Sequence, residues 1–135
     1  MLKHHDVTKL LGILGGFVGW FFGPLDGLLT LLLVMVIIDY ITGVLRAIYE
    51  MKLSSKVGRH GITKKVMIFL IVGVANILDL YVFGLEHTVL RTAAICFYAS
   101  NEGLSIIENA AGMGMKVPQK IKDTLQQLND KEDRK

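Results

Sequence analysis

One cysteine is present, Cys96, so no disulfide can form within a single chain. It lies in an apolar stretch and reads as a small packing residue. Only two aromatic residues, Tyr40 and Tyr49, sit in or beside the main basic block, so a platform for stacking nucleobases is lacking and nucleic acid is not an expected partner. His4, His5, His60 and His87 have no spacing that gathers three metal ligands. No Gly-x-Ser-x-Gly elbow and no phosphate loop occur, and the glycines from Gly12 to Gly19 lack the Lys-Ser/Thr ending that such a loop needs. The sequence therefore predicts no enzyme and no cofactor. The most informative scarcity is that of charge: long stretches between the charged blocks carry almost none.

Charges concentrate in the first nine residues, in a block from Arg46 to Lys65, and in the tail from Lys116. A soluble helix of ordinary amphipathicity keeps a solvated face along its whole length. The run from Gly27 to Ile38 has no such face. With 52% hydrophobic residues, a mean hydropathy of +0.48 and a formal charge of +3, the pattern fits apolar spans flanked by bases that meet anionic headgroups. The basic start followed by an apolar region lacks an Ala-x-Ala type cleavage site, and reads as a retained helix rather than a signal peptide.

Four apolar segments emerge, at about 7–22, 28–48, 66–83 and 88–107. The first reaches only about 24 Å at 1.5 Å per residue, short for a hydrocarbon core of about 30 Å. Gly23-Pro24-Leu25-Asp26-Gly27 breaks the chain after it. The expected fold is all-α: a helical integral membrane protein with three full spans plus a short Gly-rich first segment. The alternative is three spans with an interfacial first helix. Residues 1–117 form the membrane-embedded domain, and 118–135 a charged cytoplasmic tail. That tail has an amphipathic part carrying Val117, Ile121, Leu125 and Leu128, and is expected to fray from Asn129 to Lys135.

The positive-inside rule puts the Arg46–Lys65 block in the cytoplasm, and four spans then put both termini there too. Fourteen of the fifteen Lys and Arg fall on that side, Arg91 alone falling near the outer face. The outer connections, around Asp26 and Glu86, carry acids and no lysine, and Trp20, Phe21 and Phe22 fit an outer aromatic belt. The segment from Met51 to Lys65 reads as a solvated loop, with Gly58 and Gly61 in a turn and Ser54, Ser55 or Thr63 capping the next helix.

Gly12, Gly15, Gly16 and Gly19 share one helix face, a packing surface within the monomer or between copies, to which Gly43 on the second segment adds. Charged residues at membrane depth are costly, about 2.5–3.5 kcal/mol each at a helix centre, and they and their polar neighbours should pair or face water. On the second segment they are Asp39, Thr42 and Arg46. On the third they are Asn76 and Asp79, and on the fourth Arg91 with a stripe of Asn101, Glu102, Ser105, Glu108 and Asn109. They are expected to form a buried polar network or a pore lining, with Asp79 pairing Arg91, and with Asp39 and Glu102 in reach of Arg46 or Lys64.

Three stretches, Asp39-Tyr40-Ile-Thr42-Gly43-Val-Leu-Arg46-Ala47, Leu53 to Lys65, and Tyr98 to Asn109 followed by Gly112, Gly114 and Pro118, carry a resemblance. In order and spacing the chain resembles the phage holin family that includes clostridial toxin-secretion holins, over roughly residues 25–120. The resemblance implies a homo-oligomer in the lipid bilayer of the bacterial cytoplasmic membrane, opening lesions that release an endolysin or a secreted toxin. It transfers no site residue, and the candidate residues above rest on physical inference. An antiholin, or a small regulated channel or transporter, remains the alternative.

Overall fold

The protein is described by a computed structural model covering residues 3–84 and 88–133, apart from the side chains of Val57 and of 131–133. The connection around Glu86, with His87, and the terminal Arg134 and Lys135 lie outside the described residues. Five helices follow in order: α1 (His4–Phe22), α2 (Gly27–Tyr49), α3 (Ser55–Leu78), α4 (Val89–Gly112) and α5 (Gln119–Asp133). A π-helical turn, Asp79–Phe83, extends α3. Among the described residues there is no strand.

Two of these helices are long and apolar enough to cross a membrane, Gly27–Tyr49 and Gly58–Phe83. Only 22% and 33% of their most apolar stretches are buried, whereas the core helix of a soluble protein is mostly buried. The exposed outer surfaces are instead lined with Leu31, Leu33, Ile37, Ile41, Met67 and Val74. The sequence predicts four segments; α1 is short, and α4 is interrupted by its polar stripe.

A small core joins α2, α3 and α4. Leu32, Val72 and Ile95 are wholly buried, flanked by Leu29, Val36, Ile68 and Ala99. α2 packs along α4 far more extensively than along α3. α1 packs mainly against α3, and no residue of α1 is buried. It docks by its C-terminal end, where the Phe21 ring lies on Gly73 so closely that an added Cβ there would fall 1.9 Å from a ring carbon. Phe22 meets Phe69 edge-on with ring centroids 6.3 Å apart. Phe21 and Phe22 thus pack on α3 within the chain. Trp20 stays half exposed, its indole N–H donating to the Tyr81 hydroxyl at 3.4 Å.

Two expectations about boundaries are corrected. Most of the predicted loop 51–65 is helical, because α3 begins at Ser55. Gly58 and Gly61 lie inside the helix, beneath the Tyr40 ring, rather than in a turn. Thr63 does not cap the helix: its hydroxyl donates to Arg59 O at 3.0 Å within it. The tail does not end at Asn129 either, since α5 continues to Asp133. α5 folds back on α4, with Leu125 resting against Gly103, while Ile121 and Leu128 remain exposed.

Candidate functional site

The polar residues that sequence places in apolar helices gather into two separate clusters. The first forms where four helix ends meet. Arg91, in the first turn of α4, is 2% exposed. Its Nε donates to Phe22 O at 2.8 Å, its Nη2 to Pro24 O at 2.8 Å, and its Nη1 to Asp26 Oδ2 at 2.7 Å. Asp26 also caps α2, accepting from Leu29 N at 2.9 Å. The hydrogen bond from Arg91 holds the Asp26 carboxyl below its ordinary value of 3.8. Asn76 donates to Trp20 O and Phe21 O at 3.0 and 3.1 Å. The last carbonyls of α1 therefore find donors on α3 and α4. Gly23 permits this approach: its φ is +76°, and a Cβ would stand 2.7 Å from Asn76 Oδ1.

Asp79 belongs to this cluster but not as the guanidinium's partner. The π turn aims its carboxylate at the start of α4, where it accepts from Leu90 N at 3.1 Å and Arg91 N at 2.8 Å. An N-cap role is thus filled from another helix, while Thr88, at the cap position itself, makes no side-chain cap bond. The expected ion pair of Asp79 with the Arg91 side chain is replaced by Asp26, which sequence reads as a solvated linker acid.

The second cluster lies halfway along the helices. Lys65 of α3 donates to both Asp39 of α2 and Glu102 of α4. Asn109 Nδ2 donates to Thr42 Oγ1 at 3.1 Å and Asp39 Oδ1 at 3.3 Å, and Thr42 Oγ1 donates to Asp39 O at 3.0 Å. All three members of the ion triad are largely buried, their side chains 17%, 9% and 8% exposed. The partner of the two acids is therefore Lys65, neither Arg46 nor Lys64. Arg46 instead reaches Glu50 at 2.8 Å and lies across Gly112. Its hydrogen bond, with that of Lys52, lowers the Glu50 pKa from 4.5.

A cavity of about 660 Å³ opens beside the triad between α2, α3 and α4. Asp39, Gly43, Lys65, Asn101, Glu102, Ser105 and Asn109 all line it. Of the predicted polar stripe on α4 only Glu108 faces away, exposed. Asn76, Asp79 and Arg91 do not line it. Gly43 sits at the α2–α4 contact, 3.7 Å from Asn109 Nδ2 by an added Cβ. Gly12, Gly15, Gly16 and Gly19 face open space, with nothing of this chain within 4 Å of an added Cβ. That face does no packing within the monomer.

Between the clusters lies the dry layer of Leu32, Val72 and Ile95. Eleven residues of α4 separate Arg91 from Glu102, about 16 Å. Among the described residues no group of three His, Cys, Asp or Glu is placed to hold a metal ion.

Residues 16–130 match the model of the bacteriophage holin family. The chain belongs to that family. Its holin relatives include a probable holin of Bacillus phage phi105, 43% identical over 107 residues, 79% of this chain and 78% of the relative. An uncharacterized 14.9 kDa protein of Clostridium perfringens is 42% identical over 118 residues, 87% of this chain and 89% of the relative. An uncharacterized protein of Listeria monocytogenes is 42% identical over 122 residues, 89% and 86% of the two chains. No solved structure matches. Family membership and the two apolar helices together make this holin a membrane protein.

Proposed function

We propose that this holin is a multi-pass protein of the bacterial cytoplasmic membrane that assembles with copies of itself and opens lesions through which an endolysin, or in another setting a toxin, leaves the cytoplasm. Family membership over residues 16–130 supports the class of function. The observation that carries the mechanism is the Asp39–Lys65–Glu102 triad, buried inside helices with apolar outsides and beside a cavity. Both termini and the α2–α3 connection face the cytoplasm in this reading, which gathers nearly all Lys and Arg on one side.

In a lone copy Lys65 satisfies both carboxylates. In lipid an ionised group has to be met by protein or by water. When copies crowd together, α2 and α4 repack so that Asp39, Asn101, Glu102, Ser105 and Asn109 turn from Lys65 and from each other toward shared water. The Arg91 cluster holds the helix ends together throughout, because most of its bonds go to backbone groups at those ends, which have no partner within their own helices. The glycine face of α1, unused within the monomer, is a surface for close approach between copies.

The test is induced expression in bacteria with and without a cytoplasmic endolysin, following viability and optical density. Abrupt loss of viability, with lysis only when endolysin is present, is expected. Continued growth with abundant protein in the inner membrane overturns the reading. If Asp39→Leu and Glu102→Leu insert and permeabilise like the parent, the triad lines no lesion. A second reading, a small channel, is favoured by the lysine-bridged carboxylate pair in the cavity wall. It predicts that vesicles carrying the protein release ions while retaining a folded endolysin.

A further inference from the structure

The cavity beside the triad has a gradient along its length that the lesion mechanism does not use. Near the N-terminal end of α3 its wall carries His60 and Lys64, one helical turn apart. Deeper along the same helix the wall becomes Met67, Ile68 and Ile71, with Tyr98 opposite on α4. From Gly58 to Ile71 is thirteen residues, about 20 Å. The two acids in the lining are both engaged by Lys65. Among the described residues no carboxylate pairs with Lys56, Arg59 or Lys64, because the described ion pairs are those of Arg46, Lys52, Lys65 and Arg91. The mouth is therefore cationic, the charged groups at mid-length are paired with one another, and beyond them the wall on α3 is apolar. A volume of about 660 Å³ falls among ordinary small-molecule sites, roughly 300–1,000 Å³.

We infer that this cavity holds one anionic phospholipid of the inner leaflet, its phosphate at His60 and Lys64 and an acyl chain against Ile68, Ile71 and Tyr98. The inference rests on the reading above that the N-terminal end of α3 faces the cytoplasm. A soluble phosphate compound has no use for the apolar depth, and a neutral lipid no use for the unpaired lysine. The order of the two along α3, cation outward and hydrocarbon inward, is that of a phospholipid standing in the leaflet. Mere attraction of a basic segment to a charged surface does not depend on the shape of the cavity behind it.

Native mass spectrometry of the full chain released from detergent tests this, with phosphatidylglycerol, phosphatidylcholine and inorganic phosphate as probes. One phosphatidylglycerol per chain is expected, retained in preference to phosphatidylcholine and not displaced by inorganic phosphate. Lys64→Gln, at an exposed position that tolerates the change, weakens retention about fivefold. Ile71→Trp fills the depth and abolishes it. Val66→Trp, exposed on the opposite side of the same helix and outside the cavity lining, leaves it unchanged. Equal retention by Ile71→Trp, Val66→Trp and the parent overturns the inference in favour of unspecific attraction, and displacement by inorganic phosphate overturns it in favour of a small-anion site. Lipid retention by a chain that fails to lyse cells overturns the holin reading and leaves this one standing.

Discussion

The Arg91 cluster and the Lys65 cluster each set one cation near two carboxylates, yet they bind different things. Arg91 and its neighbours bond mainly to backbone: the carbonyls of Trp20, Phe21, Phe22 and Pro24 and the amides of Leu29, Leu90 and Arg91. Lys65 bonds only to side chains, at mid-helix, beside open space. Backbone groups at helix ends are always there to be satisfied, so the first cluster is a fixed joint. Side-chain carboxylates beside a cavity have water as a second partner, so the Lys65 cluster is able to change partners. Two groups of similar charge are thus expected to differ in how readily they rearrange, because of what they are bonded to.

The largest test of this contrast is Arg91→Met. It leaves the Phe22 and Pro24 carbonyls without their donor and Asp26 with only the Leu29 amide, and is expected to destabilise the fold by about 3 kcal/mol. Titration with a denaturing detergent, followed by circular dichroism, measures it. Lys65→Met should cost less, about 1–3 kcal/mol, since the cavity admits water to Asp39 and Glu102. Adding Asp39→Asn and Glu102→Gln should restore most of that loss. If Lys65→Met proves as damaging as Arg91→Met, the two clusters are equally rigid and the contrast fails.

Gly73→Ala sharpens the comparison at the α1 joint. The new methyl collides with the Phe21 ring, and overpacking of this kind costs about 1–3 kcal/mol. Phe21→Ala in the same chain should relieve it, which a double-mutant cycle reads directly. Gly16→Ala, facing open space, should change monomer stability by less than about 1 kcal/mol. Its effect belongs in crosslinking between copies.

The smallest effect is that of acid. Asp26 has its pKa lowered in the folded state, so its contribution is complete above the unfolded value near 3.8 and is lost as pH falls through the lower folded value. Melts of the parent should therefore lose stability below about pH 4 relative to Asp26→Asn, and coincide in shape with it at neutral pH. A matching acid dependence in Asp26→Asn removes Asp26 as its cause.

The apolar runs and the Gly23-Pro24 break made α1, α2 and α4 legible, because lipid-compatible length and helix breakers are local properties. The composition of both clusters was legible in part. Asp39, Glu102, Asn76, Asp79 and Arg91 stand out because charge is so rare around them. Their pairing was not legible, since it depends on how three helices are rotated about their axes. Lys65 was missed among the other bases of a segment read as loop. The signal was there: Lys65, Ile68, Val72, Asn76 and Asp79 recur at spacings of three and four, a single helical face that carries α3 back through the basic block. Asp26 was misread for the opposite reason, as a loop acid seeking water, when a buried arginine 65 positions away needed it.

The dry layer of Leu32, Val72 and Ile95 has an electrical consequence. Wholly buried hydrocarbon stands between the two charged levels, and a hydrated ion crossing it inside one copy has to shed its water. The layer is thus an insulating step inside the fold, and current through a single copy is expected only where that layer opens.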